Sequence, residues 1–358
     1  NEFVEICIVE SMNTNAENPT TRFAVVGTGQ IAQQAFIPGL KQLPEAELAA
    51  IVSSDPSKGD AYGVPGYSYD QYAELLKSGD IDAFPEFGAP ELMSSFDGDA
   101  RLGTFVGNTE LKVVAGMNSA RKPFSDKRVR QAINHAIDAD LIISRLVRNK
   151  AYRATSWLPL SSPAYDKALK PYAFDPEKAK KLLAEAGYPD GFEFEWTASP
   201  NESWGIPIVE ATIPMLAKVG IKVKVKPVEG SALGGIVAKG DFQAYIWSNT
   251  SGPDPLTQMK CFHSKTPRSA CNYTTFSNAE VDKLIDEAGA TDDLTKRNDL
   301  LKKANAVLYE EAPVWFFNYN KAVLAYQPWL HGLQPNATEL ALQYYEDLWV
   351  DETSPAAK

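Results

Sequence analysis

Apolar and polar positions alternate along this chain with two periods, close to two and close to 3.6, and they change over often enough to predict strands and helices in turn. Residues 22–26 and 47–52 read as strands, and between them Ala32, Ala35, Phe36, Gly39 and Leu40 recur at helical spacing. Leu75 and Leu76 close a further helix before a short strand over residues 81–84. Beyond this, Val129, Ala132, Ile133, Ala136 and Ile137 form one helical stripe, with Ser125 before it and Asp126 in its first turn. On that helix His135 points away from the stripe and is expected to be solvated. Asp175, Pro176 and Glu177 then give a cap, a first-turn proline and an acid to a helix with Ala179, Leu182, Leu183 and Ala186 on its buried face, and Gly187 ends it.

Phe192, Phe194 and Trp196 alternate with glutamates as a strand, and residues 208–219 form a helix. Residues 221–226 alternate perfectly, one face apolar and one lysine-rich, which suits a strand whose lysines discourage edge pairing. Residues 242–247 are apolar enough for a central strand, running into the loop SNTSGPDP at residues 248–255. A loop at the end of a buried strand is where α/β proteins tend to hold ligands. Ser277 and Glu280 have capping-box spacing for a helix bearing Val281, Leu284, Ile285 and Ala288. A second helix carries Leu294, Leu300, Leu301, Ala304, Val307 and Leu308, and Pro313 opens an aromatic strand over residues 314–318.

At 358 residues the chain is too long for one ordinary core, and its 44% hydrophobic and 23% charged residues describe a globular protein. The net charge is -11, with residues 1–80 holding 11 acidic and 4 basic side chains. A surface of that sign repels phosphate backbones and anionic lipid, so neither nucleic acid nor membrane insertion is expected. The first twenty residues show neither a basic region nor a long apolar run, so no signal peptide is visible there. Of three cysteines, Cys261 and Cys271 enclose a span that suits a small disulfide loop, leaving Cys7 over. With His263 they also make three candidate metal ligands, but without a fourth they match no standard zinc spacing, and no metal is expected.

Between the first two strands lies Gly27-Thr28-Gly29-Gln30-Ile31-Ala32. In a dinucleotide fingerprint Gly27 makes the tight turn, Gly29 lets a pyrophosphate approach the backbone, and Ala32 lets helix pack on strand. At the end of the second strand, Ser53, Ser54 and Lys58 suit a 2′-phosphate better than a bare ribose, which favours NADP over NAD. Ser54 or Asp55 also serves as the cap of a short helix starting near Pro56, and the two roles are compatible.

The stretches RFAVVGTGQIAQQAFIPGL (residues 22–40), IVSSDPSK (51–58) and YSYDQY (67–72) closely resemble the start of the glucose-fructose oxidoreductase family of NADP-dependent sugar oxidoreductases. That family continues into a Glu-Lys-Pro motif whose lysine serves catalysis. Here Arg121 precedes Lys122 and Pro123, so the glutamate is missing and no catalytic residue is assigned. The resemblance implies an NADP site that is weak or vestigial.

A second resemblance covers residues 79–350. PFSDKRVRQAINHAID (residues 123–138), FDPEKAKKLLAEAGY (174–188), WSNTSGPDP (247–255), NAEVDKLI (278–285), Arg297 and EAP (311–313) resemble the family 5 extracytoplasmic solute-binding proteins, the peptide, oligosaccharide and nickel receptors of ABC importers. Those proteins close two lobes over a ligand, and this segment resembles the second lobe with the strand returning to the first. The resemblance implies that Trp247 lines a cleft, that Asn249 belongs to the same ligand-facing loop, and that Asp254 meets a peptide amino group. Arg128 and Arg130 belong to the same signature, as ligand contacts or as helix-surface ion pairs.

The expected fold class is therefore α/β: a half Rossmann-type βαβ module followed by a mixed α/β lobe of a periplasmic binding protein-like fold. Residues 1–20 are expected to be an extension, 21–84 the nucleotide-binding half-domain, 85–112 a linker, 113–325 the solute-binding lobe, and 326–358 a returning strand and tail. The changeover falls at residues 77–90, where a helix end, a Ser-Gly-Asp turn and a short strand satisfy both patterns. The function expected is the solute-binding component of an ABC importer, taking a small peptide or similar solute outside the cytoplasm. An NADP-dependent sugar oxidoreductase and a chimera with neither activity are the alternatives.

Overall fold

The computed structural model describes residues 5–10, 21–27, 32–44, 46–68, 71–78, 81–84, 96, 99–200, 204–249, 254–333 and 349–354. The chain divides into two units, residues 1–107 with 321–358 and residues 108–320.

In the first unit β1 (Glu5–Glu10), β2 (Thr21–Val26), β3 (Ala46–Val52) and β4 (Gly66–Tyr67) form one sheet in that order. β2, β3 and β4 are parallel, as right-handed βαβ units require, while β1 lies antiparallel on β2, pairing Glu5 with Val26 and Glu10 with Thr21. The sequence pattern did not predict β1. After Gly27 the chain makes a π-turn over Ala32–Phe36 and one α-turn, α1 (Ile37–Leu40). Ala32, Ile37 and Leu40 are buried against Val25 and Ile51, whereas Phe36, expected on that face, is 39% exposed. Pro38 has no N–H to return to residue 34, and a wider turn that buries positions 32 and 37 fits that gap.

The first unit also contains α2 (Tyr72–Ser78), β5 (Ala83–Phe84), β12 (Leu330–His331) and β13 (Trp349–Val350). Leu75, Leu76, Ile81, Phe96 and Ala325 close its core against Ala24, Ala50 and Val52. The glycine and prolines of the predicted changeover, residues 79–80 and 85–90, lie outside the described residues.

Two long strands, β6 (Gly103–Met117) and β11 (Val314–Tyr326), carry the chain into and out of the second unit. Residues 103–112, read above as linker, are thus part of β6. Within this unit the sheet order is β11, β6, β10 (Ala244–Asn249), β8 (Glu193–Ala198) and β9 (Lys222–Pro227), and β7 (Ala151–Arg153) pairs with β11. β8 runs parallel to both its neighbours, while β10 is antiparallel to β6. β9 is the edge, and its Lys224 and Lys226 reach Glu193 and Glu195 on β8 at 2.6 and 3.0 Å, so the lysine face is spent on cross-strand pairs.

Around this sheet, among the described residues, lie α3 (Lys127–Ala136), α4 (Ala139–Arg145), α5 (Pro176–Glu185), α6 (Ile206–Ala217), α7 (Gly230–Lys239), the short α8 (Pro255–Met259), α9 (Ala279–Gly289) and α10 (Leu294–Glu311). One sheet face packs Val113, Ala115, Phe194, Trp196, Ile246 and Trp315 against α3, α5 and α6. There Phe124 meets Phe194 edge-on at 5.1 Å. The opposite face packs Val114 and Phe316 against α8, α9 and α10. The α/β architecture is as expected.

Several local expectations are corrected. The cap of α3 is Asp126, whose carboxylate accepts from the Arg128 N–H, and Ser125 stands outside the helix. Asn278 caps α9 by accepting from Glu280 and Val281, which displaces the box built on Ser277, since asparagine is at least as good a cap. Leu294 is 65% exposed at the first turn of α10. His135 is only 6% exposed, with Nδ1 2.8 Å from the Ala173 carbonyl oxygen and its ring edge-on to Tyr172. The loop around residues 172–175 covers a helix face that periodicity marks as solvated.

Candidate functional site

β10 is flanked on both sides, so its C-terminal end emerges from the middle of the sheet of the second unit. Tyr245, Trp247 and Asn249 alternate onto one face, opposite Gly116, Val114 and Lys112 of β6. Trp247 is half-buried. α7 lies close beside it at Gly234, where a Cβ would come 3.4 Å from the indole ring. Tyr273 packs on the indole with ring centroids 5.6 Å apart and planes 34° from parallel. Asn249 is half-exposed, and residues 250–253 of the loop lie outside the described residues.

Asp254 caps α8. Its carboxylate accepts from Leu256 N–H (3.4 Å), Thr257 N–H (3.0 Å) and Thr257 Oγ1 (2.7 Å), and it forms an ion pair with Arg297 of α10. Desolvation is the largest single influence and opposes ionisation. The Thr257 hydrogen bonds and the Arg297 charge together outweigh it, so the carboxyl stays below its usual range. Four donors within the protein thus already reach this carboxylate, and Arg297 offsets part of its charge. Trp247 and Asn249 lie on β10, and Asp254 caps the helix that follows it in sequence.

Two charged residues that the sequence reading passed over sit on the same sheet face. Lys112, fully buried, holds its ammonium 4.7 Å from the centre of the Trp157 ring. Burial pulls its pKa down to about 7, and nearby Glu110 opposes that shift. Glu110 accepts from the Ser161 hydroxyl at 3.2 Å. The only sequence signal was Glu110 and Lys112 at alternate positions just before the apolar run over residues 113–117.

Arg128 and Arg130 act in the framework. Arg128 forms a fork on Asp126 and donates to the Glu185 carbonyl, while buried Arg130 donates to the carbonyls of Phe124 and Glu311. Cys261 and Cys271 are joined in a disulfide, with Cα atoms 4.9 Å apart. No group of three or more metal-ligating side chains occurs among the described residues.

At the glycine turn of the first unit, Gly27 has φ +83°, a left-handed conformation that costs a side-chain-bearing residue energy, and its N–H donates to the Val52 carbonyl at 2.8 Å. Ala32 is fully buried where a helix must approach the sheet; Gly29 lies outside the described residues. Ser53 is fully buried, its hydroxyl accepting from Asp55 N–H and donating to Asp55 C=O, both at 3.0 Å. Ser54 is exposed and Lys58 half-buried. Asp55 caps the 3-10 turn Pro56–Tyr62 through Ser57. Residues 28–31 of the turn lie outside the described residues; of the three groups expected around a 2′-phosphate, the Ser53 hydroxyl is already bonded inward.

A mixed sheet with helices on both faces makes the second unit an α/β lobe, and the end of a central strand is where such folds tend to bind ligands. Residues 67–270 match the model of the bacterial extracellular solute-binding proteins, family 5 (middle part), and the chain belongs to that family. Residues 21–84 match the oxidoreductase family with an NAD-binding Rossmann fold, so the two matches overlap at residues 67–84. The glutathione-binding protein GsiB of Escherichia coli (strain K12) is 32% identical over 205 residues, covering 55% of this chain and 40% of that protein. GsiB of Shigella dysenteriae serotype 1 gives the same identity and coverage. The chain therefore spans less than half the length of these relatives.

Among solved structures, the oligopeptide-binding protein AppA of Bacillus subtilis in complex with a nonapeptide is similar with a TM-score of 0.67 and 25% identity, over 79% of this chain and 58% of that one. DppA of Helicobacter pylori in complex with the peptide STSA gives 0.69 and 22%, over 78% and 55%. The second of these likenesses speaks to fold alone.

Proposed function

We propose that the chain is the solute-binding component of an ABC importer, or the ligand-facing lobe of one, acting outside the cytoplasm on a small peptide-like solute, and that residues 21–84 are a partial dinucleotide-binding module joined to it. The observation that carries this reading is the family match over residues 67–270, which takes in the end of β10 with Trp247 and Asn249 and the cap residue Asp254. Relatives and neighbours whose names state glutathione or peptide binding support the ligand class. In this reading the indole lies against an apolar part of the solute and Asn249 offers hydrogen bonds. The solute ammonium shares the Asp254 carboxylate with Arg297. Binding is a non-enzymatic event.

A carboxylate already paired with a guanidinium gives an incoming cation less than a free one would. Affinity is expected in the millimolar range, since every 1.4 kcal/mol of lost contact weakens binding about tenfold. Calorimetry with trialanine, Ala-Phe-Ala and glutathione tests it. Weak binding of at least one, reduced by Trp247→Ala and by Asp254→Asn, is the expected result. A tight ligand indifferent to both substitutions would place the site elsewhere.

The left-handed turn at Gly27 favours a second, lesser activity. NADP is taken weakly through the backbone around Gly27, Gly29 and Ala32, with Ser54 and Lys58 toward the 2′-phosphate and Ser53 holding the strand end that presents them. No sugar oxidation is expected, because Arg121 stands where the glutamate of the Glu-Lys-Pro motif belongs and no catalytic residue is assigned. Sustained NADPH turnover with glucose would contradict this.

A further inference from the structure

Tyr273, which packs on Trp247, is tied to the same strand end by a second, covalent route. β10 delivers Trp247, and five residues after its end Asp254 caps α8. A 3-10 turn, Lys260–Phe262, continues directly from α8 and contains Cys261. The disulfide carries the path to Cys271, whose carbonyl accepts from the Tyr273 N–H at 2.8 Å, and the Tyr273 ring returns to the Trp247 indole. The covalent bridge and the ring contact thus close a circuit that begins and ends at Trp247.

The residues beside Tyr273 are pinned independently. The Asn272 carboxamide accepts from Phe276 N–H and donates to the Phe276 and His263 carbonyls, at 2.9, 2.9 and 3.3 Å. Thr275 holds a left-handed φ of +54°, an unfavourable conformation for a β-branched residue, and Arg268 donates to its hydroxyl from two nitrogens while reaching the Lys239 carbonyl. Trp247 and Tyr273 pack on the buried cluster of Leu233, Val237, Phe242 and Tyr245, yet both stay only half-buried. The pair gives a rigid aromatic surface that loses little entropy when a ligand packs on it.

We propose that Tyr273 is a specificity-determining residue of the solute site: with Trp247 it forms an aromatic wall that favours peptides carrying a planar or large apolar side chain, and the Cys261–Cys271 disulfide fixes the geometry of that wall. This rests on the solute-binding reading above.

The test uses two probes, Ala-Phe-Ala and trialanine, titrated against the full chain by ligand-observed NMR. Wild type should prefer Ala-Phe-Ala. Tyr273→Ala should weaken Ala-Phe-Ala about tenfold and leave trialanine within about twofold, while Tyr273→Phe changes neither. Tyr273→Leu, which retains bulk for packing, should lose the preference as the alanine variant does. Reduction of the disulfide with a phosphine should also erase the preference. Equal loss of both peptides, or no change in either, overturns the role of Tyr273 while leaving solute binding standing. Retention of the preference after reduction overturns the role of the disulfide. A wild-type protein that binds neither peptide overturns this inference, and the solute-binding reading falls with it only where glutathione fails to bind as well.

Discussion

Replacing Asp254 separates two roles that the structure assigns to one carboxylate. As the cap of α8 it satisfies the N–H groups of Leu256 and Thr257, and loss of such a cap to alanine costs about 1 kcal/mol. Its ion pair with Arg297 joins positions 43 residues apart, but the Asp254 side chain is 42% exposed, so solvent screening holds that contribution to about 0.2–1 kcal/mol. Asp254→Ala should therefore destabilise the second unit by about 1–2 kcal/mol. Asparagine caps as well as aspartate, so Asp254→Asn should lose only the charge contribution, less than about 1 kcal/mol. Weak peptide binding should fall with both substitutions alike.

The pH dependence has a definite sign. The folded carboxyl is held below its usual range, so its stabilisation is complete above the unfolded pKa of about 3.9 and is lost as pH falls through the folded value. Urea unfolding followed by tryptophan fluorescence at pH 7 and in the acid range, on wild type and both variants, measures each quantity. A wild-type stability at pH 7 equal to that of Asp254→Ala would refute the cap and the ion pair together. An asparagine variant that keeps full peptide affinity would refute the ligand role alone.

Two further outcomes are expected. His135 is buried as the neutral ring, its pKa lowered chiefly by desolvation, with the Ala173 carbonyl hydrogen bond opposing and Lys178 adding to the shift. The unfolded chain therefore takes up the proton first, and stability should decline as pH drops below about 6.5, by at most about 1.4 kcal/mol per pH unit. Urea midpoints of wild type and His135→Asn compared from pH 7.5 to 5.5 check this, and equal slopes would contradict it. Phe194→Ala removes a ring packed between Phe124 and Trp196 and should cost about 3–5 kcal/mol, read as a lower urea midpoint; a loss under 1 kcal/mol would mean that the aromatic cluster is not the core it forms here.

Local chemistry made much of this protein readable in one dimension. The cap and first-turn proline at Asp175 and Pro176 start α5, Gly187 follows its end in a left-handed conformation, and the alternation of β9 puts lysines on the solvated face, because each of these features is decided by neighbours within a few residues. The α/β class and the left-handed conformation at Gly27 were legible for the same reason. Contacts between distant parts of the chain decided the rest. His135 became a core residue because a loop 38 residues later supplies its carbonyl partner. Lys112 was buried because β6 runs through the sheet and Trp157 lies over its ammonium. Asp254 met Arg297, and Tyr273 met Trp247, only once α10 and the disulfide loop had packed beside the end of β10. Periodicity reports which side of an element is apolar, whereas what covers the other side depends on chain far away in sequence, and the charges and rings that would face a solute are set by that covering.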